Sequence, residues 1–230
     1  MRRIKPIHII IFVVCFAMGV ANSLNSRKAS SSTVLPTPQT TLVAIPQSPP
    51  KGWTRLEGKG VAMQLPDTFI GGSIQDYYER VSRLAPNELS PQANAILQEA
   101  LKDPDQFVML AISKAPENNQ QNTVMNVTKT RFSDQPIPLE TLRQDVIQQY
   151  PSDFEIFESA VVKINDLEVI RMVTLEKAQS VSTKQLQYIR IDSNNDAWIA
   201  NYSSSPNTFD QWLPIFEKSY QSFELLPVSK

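Results

Sequence analysis

The chain has 230 residues, a single histidine, a single cysteine and a formal net charge of −1. Five of its 22 basic residues precede Lys51, whereas all 23 acidic residues follow it, so the later part carries 17 − 23 = −6 charges. A mildly acidic domain repels the phosphate backbone of nucleic acid, and we therefore predict no nucleic-acid partner.

The first 21 residues have the layout of a secretory signal peptide. Arg2, Arg3 and Lys5 precede an apolar run over residues 7–20, and Ala21 ends a small-residue cleavage signal. An uncleaved N-terminal anchor is the alternative, because the apolar run approaches the ~20 residues of a membrane span. We expect an exported protein in the periplasm, the thylakoid lumen or on the outer face of the cytoplasmic membrane, with cleavage favoured.

His8 and Cys15 both lie in this first segment, so the mature chain is expected to contain neither residue type. A chain without cysteine forms no disulfide and has no thiolate nucleophile. A chain without histidine has no Ser-His pair and no imidazole metal ligand. The sequence therefore predicts no metal site and no cofactor.

Residues 22–51 form a predicted disordered linker. They are rich in serine, threonine and proline, and their few apolar residues have no regular period. Such a spacer reaches roughly 30 Å on average. A passive tether is the expected role, and a recognition segment that folds on a partner is the alternative.

Residues 52–230 are predicted to form one domain that is built largely on β-strands. Short apolar segments bounded by glycine, proline or asparagine are typical of strands. The predicted strands are 53–56, 61–65, 107–112, 123–132, 154–164, 167–176, 183–191 and 197–204. Gly71 and Gly72 are expected to break the chain after the second strand, and Trp53 is expected to be a core anchor.

Helices are predicted between these strands. Ser73 is a suitable N-cap for a helix that carries Ile74, Tyr77 and Tyr78 at helical spacing, and a second helix begins at Ser90 and runs to residue 103. The apolar faces of these two helices, which include Ile74, Tyr77 and Leu101, are expected to pack on the domain. A third helix covers residues 139–150 and ends before a proline. The last helix buries Phe209, Trp212, Leu213, Phe216, Tyr220 and Phe223, which recur every three or four residues.

Both faces of the predicted sheet are apolar, because Trp198 and Tyr202 point to one side and Ile199 to the other. The expected fold class is therefore α+β: an α/β/α sandwich with a central, mainly antiparallel sheet and helices on both faces. Pro214 conflicts with this scheme, since it must kink the last helix or delay its start.

The two ends of the domain resemble PsbP-like domains. At the start of the domain, Gly52-Trp53 is followed by a strand that runs from Gly60 to Pro66. At its end, a strand at residues 197–202 is followed by the aromatic helix. The resemblance implies the Mog/PsbP-like α/β/α fold in an exported relative of cyanobacterial type. It also implies a non-catalytic accessory or binding module that docks on a membrane complex, photosynthetic or envelope.

Partner contact is predicted on residues 71–106, a segment longer than a compact member of this family needs. Glu79, Arg80 and Arg83 lie on the polar side of its first helix, where mixed charge suits a protein partner at or near a membrane. A simple lid over the sheet is the alternative role of this segment. The alternative function is a carboxylate-based extracytoplasmic hydrolase, which requires two carboxyl groups roughly 5–10 Å apart in a cleft.

Overall fold

A computed structural model describes residues 48–81, 97–98, 100–103, 106–114, 122–133, 135–177 and 182–227. The predicted signal segment and most of the predicted linker lie outside the described residues. The described strands are β1 (Trp53–Gly58), β2 (Val61–Pro66), β3 (Phe69–Gly72), β4 (Phe107–Ser113), β5 (Val124–Arg131), β6 (Phe154–Ile164), β7 (Leu167–Glu176), β8 (Thr183–Ile191), β9 (Asp196–Ser204) and β10 (Glu224–Leu225). The helices are α1 (Ile74–Val81), α2 (Leu139–Gln149) and α3 (Phe209–Gln221), with further helical residues at 97–98 and 100–102.

A seven-stranded sheet forms the centre of the molecule. Its strand order is β3-β4-β5-β9-β8-β7-β6, and each neighbouring pair is antiparallel. The long β6–β7 hairpin turns at Asn165 and Asp166, whose φ angles of 48° and 65° suit a tight two-residue turn. This sheet places β6 at one edge and β3 at the other.

The front face of the sheet, which carries Trp198 and Tyr202, is covered by α3 and by a second sheet of order β1-β2-β10. Phe216 of α3 is fully buried and stacks on Tyr202 at 5.0 Å between ring centroids, while Tyr220 stacks on Tyr188 at 3.9 Å. The aromatic residues of the last helix therefore fill a core, as predicted, instead of lining an open cleft.

The back face, which carries Ile199, is covered by helices in two places. Ile74 and Tyr77 of α1 join Leu97 and Ala100 over β4 and β5. The α2 helix packs Leu142 and Val146 over β7, β8 and β9. Helices thus lie on both faces of an antiparallel sheet, and the predicted α+β sandwich is confirmed.

Several local predictions were wrong. Gly71 and Gly72 belong to β3 instead of breaking the chain, because pairing with β4 satisfies their backbone groups. The α3 helix starts at Phe209 and continues through Pro214, so of the two predicted effects of this proline the delayed start does not occur. Trp53 is only partly buried and lies beneath the ammonium group of Lys218, 4.5 Å from its ring centroid.

Candidate functional site

The α1 helix carries the residues predicted to contact a partner. Ser73 caps it: its hydroxyl oxygen accepts a hydrogen bond of 3.1 Å from the Asp76 N–H. Glu79 lies on the exposed side and its carboxylate accepts a bond of 3.3 Å from the Gln75 amide. Arg80 lies in α1, with its side chain outside the description, and Arg83 lies outside the described residues.

An exposed aromatic ring accompanies Glu79 on this helix. Tyr77 is fully buried, but the adjacent Tyr78 is 48% exposed and lies on the outer side of the helix, three residues after the exposed Gln75 and directly before the exposed Glu79. Leu101 of the neighbouring helical residues is 37% exposed. The prediction that Leu101 packs on the domain was therefore wrong, and with Tyr78 the segment presents apolar as well as charged surface.

A carboxyl group with a perturbed pKa lies elsewhere, at the end of β7. Glu176 pairs in register with Phe154 and Thr183 and is 7% exposed. Burial, and to a lesser extent the neighbouring carboxylate of Asp153, raise the pKa of Glu176 to about 7. A raised carboxyl pKa is one of the requirements of the hydrolase alternative. A general acid must also reach a substrate, however, and the Glu176 side chain is almost completely covered.

Two further carboxylates share one cation on the front face. The Arg171 guanidinium contacts Glu158 at 2.5 Å and Glu217 at 2.9 Å. Each carboxylate is thereby committed to an ion pair. Such a network joins β6, β7 and α3, so its role is to hold these elements together.

The back face also contains an amide patch, defined here as Asn126, Thr174, Gln185 and Asn201. These four side chains lie on adjacent strands and are between 0% and 3% exposed. Each has one side-chain oxygen without a hydrogen-bond partner in the described part of the chain, as has the Tyr77 hydroxyl. Unpaired buried oxygens are costly, so the patch suits ordered water or another uncharged donor.

One depression in the described surface lies between Phe132, Leu142 and Ile191. Its volume of about 10 Å³ has room for roughly one water molecule. Groups of three or more histidine, cysteine or acidic side chains arranged to hold a metal do not occur among the described residues. Within those same ranges, the helices are too short or too polar to cross a membrane.

Sequence reasoning missed the open edge of β6. This strand is outermost in the large sheet, and its Phe157 is 55% exposed at a β-bulge between Ile156 and Glu158. The Lys184 ammonium lies 5.6 Å from the Phe157 ring centroid. The available signal in the sequence was Phe157, an extra apolar residue within a predicted strand, which is typical of a bulge. The order of the strands in the sheet cannot be read from the local sequence.

Comparison with solved structures gives low sequence identity over most of the chain. A cyanobacterial PsbP from Synechocystis sp. PCC 6803 is 10% identical, with coverage of 80% of this chain and 98% of that chain and a TM-score of 0.47. The Ran-binding protein Mog1p of Saccharomyces cerevisiae is 8% identical, with coverage of 76% and 95% and a TM-score of 0.46. LpqN of Mycobacterium tuberculosis, involved in cell envelope biogenesis, is 9% identical, with coverage of 76% and 91% and a TM-score of 0.43.

Neither a protein-family model nor a curated protein matches the sequence. PsbP and Mog1p are the proteins after which the predicted fold is named, and their likeness to this chain is limited to these low identities and TM-scores. At these identities and TM-scores, no activity or partner of those proteins is carried over to this chain.

Proposed function

We propose that this protein is a non-catalytic accessory module that binds a protein partner outside the cytoplasm, at or near a membrane. The observation that carries the proposal is Tyr78, whose exposed ring stands on the outer face of α1 beside Gln75 and Glu79. Exposed tyrosine is a common anchor of protein interfaces, because one side chain offers both a large apolar surface and a hydroxyl group.

The alternative role as a hydrolase is less well supported. The aromatic side chains that could line a substrate cleft instead form the front-face core around Phe216 and Tyr202. Glu176 has a raised pKa, but its side chain is covered. A carboxylate enzyme needs both of its acids within reach of one substrate.

The partner surface is expected to combine an apolar depression for Tyr78 with mixed charge facing Glu79, Arg80 and Arg83. Rim charges of this type contribute little individually but guide association and depend on salt. Tyr78→Ala should therefore weaken binding more than any one charge change, by about 2 kcal/mol or roughly 30-fold.

The experiment is recovery of partners from membranes of the native organism with a tagged protein. The variants are Tyr78→Ala and the joint reversal Glu79→Lys, Arg80→Glu and Arg83→Glu. Gln144→Lys on the exposed side of α2 is the matched control for a surface change. Loss of the same partner in both variants, with retention in the control, supports the proposal. Unchanged recovery by the folded variants would place the docking surface elsewhere.

Export is part of the proposal and rests on the sequence of residues 1–21. Mass spectrometry of the mature protein should find a new N-terminus near Asn22. An intact Met1 on a membrane-bound product would establish the anchor alternative, and a purely cytosolic product would contradict both.

A further inference from the structure

The β6 edge has backbone groups that another strand could use. Because Asn165 and Asp166 form a two-residue turn, Ile164 is in a hydrogen-bonded pair with β7. The alternation of the ladder then directs the N–H and C=O groups of Val161 and Lys163 outward. These groups have no hydrogen-bond partner within the described part of the chain.

The free part of this edge is bounded on its N-terminal side. The Arg143 guanidinium of α2 donates a bond of 3.2 Å to the Ser159 carbonyl, which is another outward group. Beyond it, the bulge at Phe157 interrupts the regular ladder. A further strand can therefore pair with the outward groups of residues 160–164 without displacing a bond of the protein.

The surroundings of this edge carry a surplus of negative charge. Arg171 contacts both Glu158 and Glu217, so this cluster of one cation and two carboxylates carries a net charge of −1. Asp153 and Glu168 are exposed and form no ion pair among the described residues. A second copy of β6 would bring two acidic edges together, and a basic segment suits this edge better.

We propose that the chain's own residues 27–35 add to the β6 edge as an extra antiparallel or parallel strand. Arg27 and Lys28 are the charged residues of the stretch 22–47, which contains no acidic residue. Thr33, Val34 and Leu35 follow them, and threonine and valine favour strands.

The reach of the chain permits this placement. Residue 35 is 13 residues before Ser48, the first described residue, and 13 extended residues span up to about 43 Å. A domain of ~175 residues has a radius of gyration of about 16 Å, so this span is comparable with the domain's diameter of roughly 40 Å. A tether of this length also gives the segment an effective concentration in the millimolar range, which compensates for a weak individual contact.

Hydrogen exchange of the Val161 and Lys163 amides tests the proposal in the purified chain from Asn22 onward. Both amides should exchange at least about tenfold more slowly than in the Val34→Pro variant, since proline removes a donor within the added strand. Thr37→Pro is the matched control, because it adds a proline outside residues 27–35. The Val161 and Lys163 amides should stay protected from exchange in this control and should lose protection in the joint variant Arg27→Glu and Lys28→Glu.

Equal exchange in the parent chain and the Val34→Pro variant would overturn the proposal. Protection that increases with protein concentration would also overturn it, because a second copy would then cover the edge. The measurement uses purified protein without a partner. Its failure would therefore leave the docking role of α1 unaffected, and the reverse also holds.

Discussion

Replacing Glu176 with glutamine should make the stability of this protein less dependent on pH. Glu176 is 7% exposed at the end of β7, and the nearby cation Lys177 is paired with Glu155 instead. Burial and the Asp153 carboxylate raise the pKa of Glu176 from 4.5 to about 7 in the folded chain. Folding must then either keep this carboxyl group protonated or bury its charge.

The sign and size of the effect follow from this shift. Between pH 4.5 and 7 the folded chain binds more protons than the unfolded chain, so the free energy of unfolding falls as the pH rises. A pKa raised from 4.5 to about 7 corresponds to about 3 kcal/mol. The free energy of unfolding keeps this amount below about pH 4 and has lost it above about pH 7. Glu176→Gln removes the charge and should therefore stabilise the protein by up to about 3 kcal/mol at pH 8.

The assay is urea unfolding of the parent and of Glu176→Gln at several pH values from 4 to 8. Glu168→Gln is the control, because Glu168 lies on the same strand but is exposed. The difference between Glu176→Gln and the parent should grow with pH, while the control should follow the parent. A difference that is independent of pH, or a parent that is more stable than Glu176→Gln at pH 8, would refute the reasoning.

Two further predictions concern packing. Phe216→Ala should cost about 3–5 kcal/mol in urea unfolding, because Phe216 is fully buried. Trp212→Ala should cost less because Trp212 is only partly buried, and equal small losses at both sites would show that α3 does not hold the core. Gly58→Ala should cost about 2 kcal/mol or more, since its Cβ would lie 2.2 Å from the Val108 carbonyl oxygen. Gly52→Ala is the matched control: it meets no atom within 4 Å, and its positive φ should cost only about 1 kcal/mol.

The predicted and observed elements agree most closely where local chemistry is decisive. The β6–β7 hairpin was predicted with the bounds observed, because Asn165 and Asp166 tolerate the positive φ values of a tight turn. The Ser73 cap was predicted for a similar reason, since a serine hydroxyl satisfies a free N–H at the first turn. Short strands without such signals, such as β3, were not predicted.

The candidate site was predicted only in part. Glu79 lies on an exposed helix face, as its place in the amphipathic pattern indicated. The exposure of Tyr78 was not predicted, because two adjacent tyrosines both fit a helical stripe until the angle of the helix on the sheet is known. The amide patch was not predicted either, because its members come from four different strands and the packing of β5 beside β9 joins distant parts of the chain.

The sequence by itself therefore determined the element types, most of their bounds and the sandwich class, since these depend on contacts between residues close along the chain. The position of β6 at an open edge, the second sheet formed by β1, β2 and β10, and the burial of Glu176 were decided only by the tertiary structure. These features depend on which distant segments meet. Local periodicity shows that a residue faces the core, but the packed fold alone decides what lies opposite it.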